Sequence, residues 1–135
     1  MKINFKDSGG RVVLHIDIIG KEDSEGWLQA MVCFEQDNFR ANFKTSLMLN
    51  ELYFFRDQLE LLQKNLKGEA VFENIERNIN LKLATDGLGH IEIDGTLWHP
   101  NNWDLKTSFV IKSDQTFLPD LILECKEILT HYKLV

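Results

Sequence analysis

The sequence predicts an α+β fold: curved antiparallel β-sheet, or sheets, of about seven strands in the order βββα-ββββα, with two amphipathic helices packed on the strands. Three observations carry this. Apolar residues alternate with polar ones through several short segments, as in Val12, Leu14, Ile16 and Ile18. The spacing changes to three and four residues in two places, after Ser46 and after Ser113. Turn chemistry separates the alternating segments, as at Gln36-Asp37-Asn38 and Asp86-Gly87.

The elements follow in order. Residues 11–19 alternate and predict a strand, and 20–26 is an acidic loop holding Glu22, Asp23 and Glu25. Trp27 opens a second strand with Leu28, Ala30, Val32 and Phe34 on one face. Phe39, Ala41 and Phe43 form a third, joined to it as a hairpin. Met48, Leu52, Phe55, Leu59, Leu62 and Leu66 make a helical stripe; Asn50 or Ser46 is the expected cap, and Gly68 the expected closing residue. Strands resume at Glu69–Asn74 and Asn78–Leu83. Another carries Ile91, Ile93 and Leu97. Trp98–Asp104 is expected to be an irregular loop, since Pro100 cannot serve a central strand. Leu105, Thr107, Phe109 and Ile111 form a last strand. A helix then spans roughly 115–132, capped by Ser113 or Thr116, with Pro119 in its first turn. At an offset of 62, Lys44-Thr45-Ser46 meets Lys106-Thr107-Ser108 and Phe55 meets Phe117. A duplicated unit and chance recurrence of strand-then-helix patterning both fit.

Composition narrows the function. The chain's 135 residues suit a single domain, 1–135, able to bury its own core without metal or disulfide. Fifteen Lys and Arg stand against 21 Asp and Glu, a net charge of −6, and no basic cluster offers a footprint for phosphate. Nucleic acid and membrane are therefore not expected as partners; a basic protein is. Cys33 and Cys125 lie in apolar contexts and are expected as buried, reduced thiols. No apolar run of signal-peptide or membrane-spanning length occurs, so a cytoplasmic location is expected.

Chemical motifs are sparse. His15 with Asp17, and His90 with Glu92 and Asp94, fall on outward strand faces, where solvated polar surface explains them better than a metal site or an acid–base pair. No nucleophile elbow occurs, and Gly87-Leu88-Gly89 leads into a strand rather than a phosphate-binding helix. No catalytic residue, cofactor or metal is expected. Two segments suit recognition instead: the acidic Glu22, Asp23 and Glu25, and the Trp98, His99, Trp103, Asp104 cluster, since exposed Trp is a frequent interface anchor. The plain alternatives are a solvated turn and tryptophans folded back over the sheet edge.

Four stretches carry a family resemblance: Trp27-Leu28-Gln29-Ala30-Met31-Val32; Phe39-Arg40-Ala41-Asn42-Phe43; Gly87-Leu88-Gly89-His90-Ile91-Glu92-Ile93; and Ser113-Asp114-Gln115-Thr116-Phe117-Leu118. With the order of elements, they resemble the WapI-type bacterial immunity proteins and their uncharacterised relatives, from about residue 12 to 130. The resemblance implies a non-enzymatic antitoxin that binds and occludes a cognate toxin, with no defined set of functional residues to transfer. The alternative expectation is a small-ligand-binding domain with an apolar pocket between sheet and helices.

Overall fold

A computed structural model of the chain describes residues 1–133. Its strands are β1 (Lys2–Lys6), β2 (Val12–Lys21), β3 (Trp27–Gln36) and β4 (Phe39–Met48), followed by helix α1 (Leu49–Asn65). A second run follows: β5 (Glu69–Glu73), β6 (Ile79–Thr85), β7 (His90–His99) and β8 (Asn102–Asp114). A short 3-10 turn at Gln115–Phe117 leads into α2 (Leu118–His131). Each run is an antiparallel meander, so the strands form two four-stranded sheets, β1-β2-β3-β4 and β5-β6-β7-β8.

This corrects the expected strand count and order. Eight strands form two sheets in the order ββββα-ββββα. The unexpected strand is β1, where Ile3 and Phe5 alternate with Lys2, Asn4 and Lys6 over only five residues. It pairs along β2, Phe5 opposite Leu14, and both its apolar side chains are buried. The halves also correspond at a different register from the offset of 62. By strand order and pairing, Phe5 matches Phe72, Leu14 matches Leu81, Phe34 matches Gly95, and Ala41 matches Phe109.

One continuous core unites the halves. Phe34 of the first sheet stacks on Phe109 of the second, ring centroids 4.3 Å apart. Phe109 lies across from Gly95, and its ring occupies the space a Cβ there would need: such an atom would stand 2.3 Å from Phe109 Cζ. Phe55 of α1 sits between the first strands of both halves, 6.2 Å from Phe5 and 5.3 Å from Phe72. Burying a ring of this kind is worth about 1.5–3 kcal/mol.

The helices cross over. Each lies beside the first strand of the other half and closes that strand's free edge with one side chain. Gln58 of α1 accepts from the Val71 N–H at 2.8 Å and donates to the Val71 carbonyl at 3.0 Å, as a neighbouring strand would. Glu124 of α2 accepts from the Asn4 N–H at 2.9 Å and from Asn4 Nδ2 at 2.8 Å. Gln58 and Glu124 occupy matching positions of the two halves.

Helix ends differ in detail from the expectation. Neither Asn50 nor Ser46 caps α1; the Glu51 carboxylate accepts from the Met48 N–H at 2.8 Å and from the Ile75 N–H at 3.1 Å. Leu66, not Gly68, takes the left-handed closing position, φ 52°, donating its N–H to the Leu62 carbonyl. Asp114 rather than Ser113 or Thr116 opens the last helical segment, accepting from the Thr116 N–H. Pro119 lies in the first turn of α2, as expected.

Candidate partner-binding surface

The acidic loop between β2 and β3 is held in one shape by its own residues. Asp23 Oδ1 accepts from the Glu25 N–H at 2.8 Å and from the Trp27 N–H at 3.3 Å. The Glu22 N–H donates to the Trp27 carbonyl at 3.0 Å. Ser46 Oγ of β4 donates to Glu22 Oε1 at 2.5 Å. Gly26 closes the loop at φ 99°, and its carbonyl accepts from the Leu49 N–H that opens α1. Glu22, Asp23 and Glu25 are all exposed.

Trp98–Asp104 is not an irregular loop. β7 runs to His99, Pro100-Asn101 makes a two-residue turn, and β8 starts at Asn102 opposite His99. Pro100 occupies the turn itself, where its missing N–H costs no ladder bond. Trp98 is half-buried, its N–H donating to the Asn78 carbonyl at 2.9 Å and its carbonyl accepting from Asn78 Nδ2. His99, Trp103 and Asp104 are exposed at the hairpin end, Trp103 to 57%.

A hydrogen-bonded chain connects these two segments. Asn74 and Asn78, both buried, flank the β5–β6 loop. Asn74 Nδ2 donates to the Ser46 carbonyl at 3.2 Å and lies 3.3 Å from Thr45 Oγ1. Thr45 Oγ1 donates to Asn78 Oδ1 at 2.6 Å, and Asn78 holds Trp98. Glu22 and Trp98 are thus the two ends of one network running through β4. The same network brings the β5–β6 loop, with exposed Ile75 and Glu76, alongside the start of α1. Sequence reasoning missed this third segment; the paired asparagines at its ends were the available signal.

Glu51 lies where these loops meet. Burial, opposed by the N–H groups of Met48 and Ile75 and reinforced by nearby Glu76, pushes its carboxyl up to about 7. Burial likewise pushes the Cys125 thiol up to about 12, while Cys33 is only half-buried on β3. Burial and then nearby Lys2 hold the His15 imidazole below its ordinary value, against the opposing pull of Asp17.

The remaining titratable groups do not converge. Among the described residues, no three His, Cys, Asp or Glu side chains stand close enough to share a metal ion. His90 Nδ1 meets Asp86 Oδ2 at 2.8 Å in the β6–β7 turn, and Glu92 is taken by Lys112 Nζ at 2.6 Å. The Asp86 carboxyl is held low by the Leu88 N–H and by His90. Several shallow grooves open on the surface, among them one of about 480 Å³ along α2, lined by Met1, Leu123, Lys126 and Glu127. One of about 310 Å³ runs between β4 and the β7–β8 hairpin, lined by Arg40, Phe43, Leu97, His99 and Leu105. Another of about 480 Å³ lies over His90, Glu92 and Lys112. No helix among the described residues is long and apolar enough to cross a membrane.

Comparison with known proteins adds what geometry alone does not carry. The sequence model of the immunity protein WapI-like family matches residues 3–133. The chain belongs to that family. No curated protein matches it. Among solved structures, a chain of a guide-RNA-binding protein complex bound to its guide RNA is similar over 98% of this chain and 89% of its own length, at 12% identity and a TM-score of 0.53. A chain of MRP1/MRP2 from Trypanosoma brucei covers 98% of this chain and 86% of its own, at 9% identity and a TM-score of 0.46. At such identities, the likeness to the first extends to the fold alone.

Proposed function

We propose that this family member is a cytoplasmic immunity protein that neutralises a cognate toxin by binding it and covering its working surface, with no chemistry of its own. The family match over residues 3–133 carries the reading. The site geometry supports it. The acidic loop is fixed before any partner arrives, which lowers the ordering cost of binding. It is joined through the buried network to Trp98, and the hairpin end carries exposed Trp103 beside His99 and Asp104. An acidic patch with an aromatic anchor fits a basic, partly apolar protein surface. RNA, the ligand of the fold neighbour, is a poorer match to a net charge of −6.

The test begins at the gene beside this chain's own: if it encodes a large secreted protein, the C-terminal domain of that protein is the toxin to try. Co-expression should restore growth to cells producing that domain, and calorimetry should show direct binding. Reversing Glu22, Asp23 and Glu25 to Lys should weaken binding by about 100-fold and reduce its salt sensitivity. Trp98→Ala with Trp103→Ala should weaken it comparably. Absence of both rescue and binding rejects the toxin reading; binding that survives both sets of changes rejects these loops as the contact surface.

A further inference from the structure

The two halves supply an internal comparison. On α1, Phe54 and Leu61 stand one turn to either side of Gln58, 68% and 59% exposed. Gln58 ties this stripe to Val71 of β5, and Glu51 ties its beginning to Ile75, which is 62% exposed. The four apolar residues therefore share one face. At the matching positions of the other half stand Asp120, Glu127, Asn4 and Ser8. The fold thus builds the same corner with polar side chains, so packing does not require the apolar set. Leu123 is the only comparably exposed large hydrophobic side chain on α2.

The charges around the face are arranged by position. Glu73 and Glu76 flank the end near Ile75, without an ion pair among the described residues, and outnumber the single exposed Arg77 beside them. Exposed Lys64 and Lys67 flank the other end, where α1 stops; Glu69, also at that end, is paired with Lys82 Nζ at 3.3 Å. Rotating a second copy by a half-turn about an axis perpendicular to α1 places its lysine end on the first copy's glutamate end, twice, while the apolar centres meet. A partner of uniform charge would satisfy one end and oppose the other. We propose that this α1–β5 face pairs two copies of the chain, with the α1 helices antiparallel.

Sedimentation velocity on the full chain tests it, independently of any toxin. At about 50 μM the wild type should run as a dimer and dissociate on dilution. Phe54→Asp with Leu61→Asp should give a monomer with an unchanged circular dichroism spectrum, whereas Leu123→Asp should remain dimeric. Lys64→Glu with Lys67→Glu should weaken pairing by about tenfold or more, and adding Glu73→Lys with Glu76→Lys should restore it. A monomeric wild type at that concentration overturns the proposal, including the case in which the face becomes protected from hydrogen exchange only on adding a toxin domain. A dimer that survives the Phe54 and Leu61 changes overturns it equally.

Discussion

Replacing Asn74 with alanine removes the acceptor for two buried backbone donors at once. Asn74 Oδ1 accepts from the N–H groups of Asn78 and Ile79, each at 2.9 Å, and Asn74 is 1% exposed. An orphaned buried N–H costs about 1–3 kcal/mol. Two give about 2–6 kcal/mol, and partial relaxation of the loop places the expected loss at about 2–4 kcal/mol. A domain of this size has on the order of 5–15 kcal/mol in total, so the variant stays folded but visibly weakened. Urea titration followed by tryptophan fluorescence and by circular dichroism measures it. The midpoint should fall with an unchanged slope, since the surface exposed on unfolding is the same. Asn50→Ala, on the exposed side of α1, should shift stability by less than about 0.5 kcal/mol. A loss below about 1 kcal/mol for Asn74→Ala would show that water replaces the carboxamide and that the asparagine network is not a structural joint.

Three further outcomes follow from described contacts. Gly95→Ala should cost about 1–3 kcal/mol by thermal melting, because its Cβ meets the Phe109 ring, and Phe109→Leu should recover part of that loss. The Glu51 carboxyl is raised from an unfolded value near 4.5 to about 7, so its stabilising contribution is full below about pH 4.5 and is lost as pH rises through 7. Solvent screening of this half-exposed group limits the effect to about 1–2 kcal/mol, and Glu51→Gln should flatten that part of the stability–pH curve. A thiol reagent should label Cys33 in the native protein while Cys125 reacts only on unfolding; equal rates would contradict the buried α2–sheet packing.

Strands with one greasy face were legible because their period is unambiguous, as in Leu28, Ala30, Val32 and Phe34. β1 escaped because two apolar residues in five give a weak period, and its strand character comes from pairing with β2. The β7–β8 hairpin was misread for the opposite reason: Pro100 is a strong breaker, but it breaks the chain for only two residues. The recognition segments were visible as composition, acidic at Glu22, Asp23 and Glu25 and aromatic at Trp98 and Trp103. Their connection was not visible, because it depends on Asn74 and Asn78 meeting Thr45 and Ser46 across the two sheets. The division into two sheets was equally hidden, since alternating segments do not announce which strand ends a sheet.

The crossed helices have a consequence for how the chain can be cut. Gln58 and Glu124 each serve the opposite repeat, so neither repeat is finished by its own residues. Cleaving the backbone in the short connection at Lys67-Gly68 should yield two fragments that remain clasped, each lending the other its missing lid.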